Sequence, residues 1–340
     1  MKSVICIVPI TGFDPSQTNV HIIYEQFHLL TDKNLAYNKE SILRRLVDQT
    51  FADQMGITSV TELLNSSLWC LELPISENDE MPNLLDFGAL MCDVINQLNT
   101  SLWFIRDNNV NIKACYIRIN DTEKTNQSNC TVLRPALLSN TVNRQINDIT
   151  FTTEEWSRAA DIAMKINELM KHNSENPSPE NHLDLPEANY NANLFIGNAG
   201  HFDYHQTNRI ERAFKFIHSA RTTMDTLLKI ALYINAYECL FTTDSNEISH
   251  KIAERVAYYA ATDQEQRRKT YKLMKEAYTV RSNYFHGKAS DKKQTLAKLI
   301  DLLERLDTLT RQVLTKAIIQ DAEIFLAKDI EPYFTGLLFS

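Results

Sequence analysis

Residues 263–287, DQEQRRKTYKLMKEAYTVRSNYFHG, decide the fold of this chain because they predict one long helix with both ends marked. Thr262 and Glu265 stand three residues apart, the spacing of a capping box, so the helix is predicted to begin here. Gly287 adopts a left-handed backbone conformation without strain, so it is predicted to end the helix.

One face of this helix is predicted to point inward. Tyr271, Met274, Tyr278 and Phe285 recur at spacings of three, four and seven residues, which is typical of a single apolar helix face. Arg281 falls on the same face. Because a guanidinium cannot shed its charge, an arginine that faces a core requires an anionic or strongly polar partner.

Two further polar residues lie near the end of the helix. His286 is in the last turn, where the negative end of the helix dipole favours an imidazolium. Ser282 lies one turn earlier on the same face. An arginine, a hydroxyl and a histidine at one helix end are suited to phosphodiester chemistry, since arginine grips phosphate and histidine exchanges protons near neutral pH.

Residues 281–287, RSNYFHG, resemble the R-x4-H motif of HEPN domains in its RSxxxHG form. Residues 252–257 (IAERVA) and 235–240 (NAYECL) are similar to flanking helices of the Apea-like HEPN subfamily. The resemblance implies a helical bundle that dimerises so that two motifs meet. It also implies metal-independent cleavage of RNA, in which the ribose 2′-OH attacks the adjacent phosphorus. Family members often have Asn or Asp after the arginine, where this chain has Ser282.

The resemblance implies that the catalytic residues are Arg281, His286 and Ser282, with the arginine on the phosphate and the histidine transferring a proton. Each motif has one histidine, so the second acid or base is expected from the other subunit of a homodimer. Glu238, on a preceding helix, is the carboxylate predicted to orient Arg281. The alternative is that Arg281 pairs with a core carboxylate and His286 merely ends the helix. The chain would then be a catalytically inactive module for dimerisation or nucleic-acid binding.

The charge distribution favours RNA as a partner of the C-terminal half. Residues 1–200 carry 14 lysines and arginines against 25 aspartates and glutamates, whereas residues 201–340 carry 21 against 18. Such a basic excess beside the motif is what a nucleic-acid partner requires. The residues predicted to contact RNA are Asn283, Tyr278, Lys288, Arg268, Lys272 and Lys275. A solvated helix face is the alternative for the cations, and a core position is the alternative for Tyr278.

The fold class is predicted to be α+β overall. Residues 1–171 predict a mixed α/β domain, and residues 207–340 predict an all-helical bundle. Residues 172–206, rich in Asn, Pro, Ser and Glu, predict a linker or long loop between them. The N-terminal domain shows no catalytic constellation, and its acidic character fits a regulatory role toward an unidentified trigger or partner.

Three local predictions concern the N-terminal domain. Residues 3–10 and 19–24 are β-branched runs and predict an opening strand pair. Residues 102–105 and 110–119 predict a hairpin. Thr152 and Glu155 have capping-box spacing and predict the start of a further helix.

Other function classes are disfavoured. The chain has seven glycines and no nucleotide-binding glycine pattern, so neither a nucleotide engine nor a cofactor is expected. Six scattered cysteines without C-x-x-C spacing indicate reduced thiols and a cytoplasmic protein. No apolar run approaches the roughly 20 residues of a membrane span. His201 and His205 lack a third ligand, so no metal is expected.

The resemblance also implies a role in prokaryotic anti-phage defence by abortive infection. Within the predicted bundle, His250 and Lys251 begin a helix that is predicted to border the active cleft.

Overall fold

The computed structural model describes residues 2–17, 23–24, 27–30, 39–75, 83–121, 130–134, 138–171, 207–287 and 295–339. An antiparallel sheet with helices occupies the N-terminal part, and helices make up the C-terminal part, which confirms the α+β class. None of the described helices combines the length and apolar composition needed to cross a membrane.

The described elements are as follows. The strands are β1 (Lys2–Thr11), β2 (Ile23–Tyr24), β3 (Phe27–Leu30), β4 (Ser67–Ile75), β5 (Asn111–Ile112), β6 (Cys115–Asp121) and β7 (Cys130–Leu133). The N-terminal helices are α1 (Lys39–Leu46), α2 (Gln49–Asn65), α3 (Leu84–Ile105) and α4 (Thr153–Lys171). The C-terminal helices are α5 (Arg209–Thr222), α6 (Thr226–Phe241), α7 (Ile248–Ala260), α8 (Gln264–Phe285), α9 (Leu296–Ile319), α10 (Ala322–Leu326) and α11 (Glu331–Leu338).

Strand β1 is the centre of the sheet, whose order is β2-β3-β4-β1-β6-β7 with β5 paired to the end of β1. Its side chains alternate between two cores: Val4 and Cys6 pack with α3 and α4, whereas Ile5 and Ile7 pack with α1 and α2. A strand buried on both faces requires a continuous apolar run, which explains why residues 4–10 are apolar throughout.

The predicted opening strand pair is wrong. Strand β1 pairs with β4, β5 and β6, all antiparallel, whereas β2 pairs with β3 at the edge of the sheet. Neighbours in sequence often pair, but the 10-residue β1 forms more backbone hydrogen bonds with the 9-residue β4 and the 7-residue β6 than it could with the two-residue β2. Residues 18–22 lie outside the described part of the chain.

The predicted hairpin at residues 102–105 is also wrong, because α3 continues through them to Ile105. A short apolar run fits a strand or a buried helix equally well by periodicity, and only the surroundings decide. Trp103 and Phe104 are buried among residues of the C-terminal helices. This packing favours the continuation of α3 to Ile105 over a strand. The capping box at the start of α4 is confirmed: Thr152 N–H donates to Glu155 at 2.9 Å, and Glu155 N–H donates to the Thr152 hydroxyl at 3.2 Å.

Helix α8 begins one residue later than predicted. The side chain of Asp263, rather than Thr262, caps it by accepting from the Gln266 backbone N–H at 2.9 Å. Helix α8 ends at Phe285, and Gly287 has the predicted left-handed conformation with φ of 62°.

The inward face of α8 is rotated relative to the predicted one. Its buried residues are Leu273, Met274, Ala277 and Val280. Phe285 is 52% exposed, so its predicted inward position is wrong. The predicted apolar face lies along one edge of the face that is actually buried. The difference arises because α8 packs against both α6 and α7, and the buried face is centred between these two helices.

The N-terminal and C-terminal parts share an apolar core to which α3 and α4 contribute. A buried carboxylate joins them as well. Asp307 of α9 accepts hydrogen bonds from the Trp103 indole N–H at 2.8 Å and the Tyr233 hydroxyl at 2.5 Å, and pairs with Arg311. A second contact is made by Arg221, which donates to the Asn108 carbonyl at 2.9 Å. The division at residues 171 and 207 stays a prediction, but the described parts are tightly joined.

The indole N–H of Trp103 should stabilise the protein beyond its packing. We expect Trp103→Phe to lower the free energy of unfolding by roughly 1.5–3 kcal/mol more than Trp156→Phe, because it also removes a hydrogen bond to a buried charge. Trp156 is the matched control, since it is equally buried and its indole N–H donates to no described residue. Urea unfolding of both variants measures the difference. Equal losses would show that the bond to Asp307 contributes nothing.

Candidate functional site

Arg281 is held by two polar residues of α6. Its Nη2 lies 2.9 Å from Glu238 Oε2, and its Nε donates to Asn235 Oδ1 at 3.3 Å. Asn235 and Glu238 are three residues apart and therefore share one face of their helix. Arg281 therefore has the anionic partner that was predicted for it, and that partner is Glu238, the predicted carboxylate.

Two aromatic rings flank the same guanidinium. Its carbon lies 5.6 Å from the centre of the Tyr278 ring and 5.2 Å from that of Phe285, within cation–π range. The Arg281 side chain remains 25% exposed, and its third nitrogen, Nη1, donates to no described residue. The arginine is therefore fixed on one edge and open on the other.

Burial and charge act in opposite directions on Glu238. Burial raises the pKa of its carboxyl, and the charge of Arg281, the Arg281 hydrogen bond and the Tyr278 hydroxyl partly offset that rise. Oε1 is buried and accepts no well-formed hydrogen bond from a described residue. Burial and the adjacent carboxylate also raise the pKa of Tyr278, so its phenol is neutral at physiological pH. The cluster has one strong pair, between Glu238 and Arg281, and one unpaired acceptor oxygen.

His286 is exposed at the end of α8, and no described residue makes a hydrogen bond or ion pair with its ring. Its backbone N–H donates to the Ser282 carbonyl at 3.0 Å. Residues five apart on a regular helix lie roughly 140° apart around the axis. Arg281 and His286 therefore point to different sides of α8, with Ser282 on the side of His286. No hydrogen bond or ion pair joins the side chains of the predicted catalytic pair within one chain.

The residues predicted to contact RNA are found in different settings. Arg268 and Lys272 are exposed, Asn283 is half-buried, and Tyr278 belongs to the Arg281 cluster. Lys275 donates to the Ser249 hydroxyl of α7 at 3.0 Å. Lys288 lies outside the described residues. By spacing, Arg268, Lys275 and Ser282 are seven residues apart and lie along one side of α8.

Sequence reasoning missed Asn235 as a partner of Arg281, although its position one turn before Glu238 was the available signal. It also missed the contact of His250 Nδ1 with the Tyr271 hydroxyl at 3.0 Å, which joins α7 to α8. Nothing in the chain order marks that pair, because the two residues belong to different helices.

The described residues contain no group of three or more His, Cys, Asp or Glu side chains arranged to hold a metal ion. His201 and His205 lie outside the described residues. No family model, curated protein or solved structure matches this chain. The chemistry of the site is therefore inferred from the side chains around Arg281.

Removing Arg281 should leave Glu238 as a buried, unpaired carboxylate. We expect Arg281→Ala to lower the free energy of unfolding at neutral pH by roughly 1–3 kcal/mol, and Glu238→Gln in that background to restore much of it. Without the arginine the pKa of Glu238 rises further. A folded-state pKa above the unfolded value means that stability is complete at low pH and is lost as pH rises through the folded pKa.

Urea unfolding at several pH values tests this expectation. The single variant should lose stability as pH rises above the ordinary carboxyl range, and the double variant should not. Arg305→Ala is the control, because its partners Glu276 and Asp301 are exposed and such pairs contribute little. If Arg281→Ala and Arg305→Ala lower the free energy of unfolding equally at every pH, the ion pair between Arg281 and Glu238 does not stabilise the fold more than an exposed pair does.

Proposed function

We propose that this protein is a metal-independent endoribonuclease of the HEPN type that acts as a homodimer. One observation carries the proposal: Asn235 and Glu238 fix Arg281, yet its side chain is 25% exposed and its Nη1 donates to no described residue. The exposed ring of Phe285 lies beside the same guanidinium. A fixed guanidinium with one free edge suits a phosphate ligand.

The proposed reaction needs no metal. The ribose 2′-oxygen forms a bond to the adjacent phosphorus, and the bond from phosphorus to the 5′-oxygen breaks. A 2′,3′-cyclic phosphate and a 5′-hydroxyl result. Arg281 Nη1 donates to a phosphoryl oxygen as negative charge builds there. A histidine gives a proton to the departing 5′-oxygen, and a second base takes the proton of the 2′-hydroxyl.

A second copy of the chain supplies the histidine that one chain does not place beside Arg281. In a two-fold dimer the same surface meets itself, so the partner subunit's His286 approaches Arg281 while the reciprocal contact forms on the other side. The exposed ring of Phe285, between these two residues in sequence, gives that interface an apolar contact. The dimer then has two equivalent sites, each with Arg281 of one subunit and His286 of the other.

The resemblance to Apea-like HEPN proteins supports a biological setting for this activity. We place the enzyme in prokaryotic anti-phage defence, where RNA cleavage in the cytoplasm arrests an infected cell. The N-terminal part contacts α9 through Trp103, α5 through Asn108 and α6 through Thr141, so a trigger bound there could act on α6 through the Lys229 contact.

A second candidate function is a catalytically inactive module for dimerisation or nucleic-acid binding. It is favoured by the ion pair itself, since Glu238 and Asn235 already occupy two of the three guanidinium nitrogens. Ser282 stands where related motifs often have Asn or Asp, which favours the same candidate.

Purified protein incubated with total RNA in excess EDTA distinguishes the two. We expect fragments that end in 2′,3′-cyclic phosphate, and a loss of at least about 100-fold in rate for Arg281→Ala and His286→Ala. Arg305→Ala is the matched control and should cleave like the wild type. Cleavage that persists in both site variants would show that the site is wrong, and intact RNA throughout would favour the inactive module.

Mixing the two inactive variants tests the shared site. After exchange of subunits, half of the dimers carry one chain of each kind, and each such dimer has one site with both Arg281 and His286 intact. The mixture should recover about a quarter of the wild-type rate. A mixture that stays inactive, although the subunits exchange, would contradict a site built from two chains.

A further inference from the structure

Four side chains form a cluster between the start of α7 and the middle of α8. His250 Nδ1 lies 3.0 Å from the Tyr271 hydroxyl, and Lys275 Nζ donates to the Ser249 hydroxyl at 3.0 Å. The rings of His250 and Tyr271 meet edge to face, with centres 6.0 Å apart. Two cross-helix hydrogen bonds therefore fix the imidazole and the ammonium side by side. We call this group the α7–α8 cluster.

The hydrogen bond to Tyr271 determines what His250 offers to solvent. When the phenol donates to Nδ1, the proton of a neutral imidazole resides on Nε2. Nε2 makes no hydrogen bond with a described residue, and His250 is exposed. Lys275 uses one of its three N–H groups on Ser249. In that tautomer the cluster keeps two donor groups for a ligand, Nε2 of His250 and the remaining N–H groups of Lys275.

The charges around the cluster are mainly positive. Arg268 and Lys272 are exposed on the same part of α8. The neighbouring acids are paired elsewhere: Glu265 with Lys269, Glu276 with Arg305, and Asp244 with Lys251. Two acids are exceptions: the half-buried Glu254, one turn beyond His250 on α7, and the exposed Glu247, three residues before His250. A net positive surface with fixed donors suits an anionic ligand.

The cluster lies on the side of α8 that carries Ser282 of the motif, whereas Arg281 lies roughly 120° further round the helix from Lys275. Lys275 and Ser282 are seven residues apart, and Tyr271 and Tyr278 have the same separation, so each pair is about 10 Å apart along the helix. A short stretch of single-stranded nucleic acid covers that distance. The half-exposed Tyr278 lies between the cluster and Arg281.

We propose that His250 and Lys275 form a phosphate subsite for single-stranded RNA, two helical turns from Arg281, that holds a part of the strand which is not cleaved. This inference rests on the proposed function, because it assigns a second contact to the same substrate. Tyr271 is the positioning residue of the subsite, and Ser249 positions Lys275. The subsite explains why the basic residues of α8 extend well before the motif.

Binding of an uncleavable RNA tests the subsite. The full-length protein is titrated with a labelled single-stranded 12-mer of 2′-O-methyl RNA, which lacks the attacking hydroxyl, at several salt concentrations. We expect Lys275→Ala and His250→Ala each to raise the Kd about fivefold, and Lys275→Ala to reduce the slope of log Kd against log salt by about 0.7. Lys269→Ala is the matched control, since it removes the same charge from the same helix but lies on another face, paired with Glu265.

Two outcomes overturn the subsite: Lys275→Ala and His250→Ala bind like Lys269→Ala, or the wild type does not bind the RNA. Each variant is compared at equal thermal stability, so loss of folding cannot produce the expected result. The binding assay is independent of cleavage. Differential binding without any cleavage of ordinary RNA would contradict the nuclease and leave the subsite intact. Cleavage of ordinary RNA together with unchanged binding by the His250 and Lys275 variants would support the nuclease and contradict the subsite.

Discussion

Buried charges around helix α6 are the constraint on which the rest of the structure depends. A charge removed from water is tolerated in a protein interior only when it is paired and hydrogen-bonded. Helix α6 provides such partners in three directions: Lys229 reaches the Thr141 carbonyl of the N-terminal part, Tyr233 donates to Asp307 of α9, and Glu238 pairs with Arg281 of α8. One helix thus fixes the N-terminal part, the bundle and the candidate site relative to one another.

This arrangement gives the site its particular form. The carboxylate that stabilises Arg281 also uses up part of its hydrogen-bonding capacity, so what remains for a ligand is the Nη1 edge. The histidine of the motif is exposed on another side of the same helix. In the proposed nuclease, Arg281 and His286 are the two halves of the reactive centre, and two-fold symmetry is the simplest way to join them. The proposal of a dimeric nuclease follows from that separation as much as from the motif.

The sequence allowed prediction of those features that depend on local spacing or on charge. The left-handed Gly287 just beyond the end of α8 follows from the conformational freedom of glycine, and the pairing of Arg281 follows from the permanence of its charge. Features that depend on distant partners were not predictable. Trp103 continues a helix instead of a hairpin because its indole meets Asp307, 204 residues away. Phe285 matched an apolar stripe, yet it is exposed, because periodicity alone does not locate the centre of a buried face between two neighbours.

The most direct test of the central claim is a crystal structure of the full-length protein bound to a 2′-O-methyl RNA strand. Our account predicts a phosphate within hydrogen-bonding distance of Arg281 Nη1, with Glu238 still on Nη2 and the partner subunit's His286 facing the 5′-oxygen. A strand bound elsewhere on the protein, with Arg281 contacting only Asn235 and Glu238, would contradict it and leave Arg281 a structural residue.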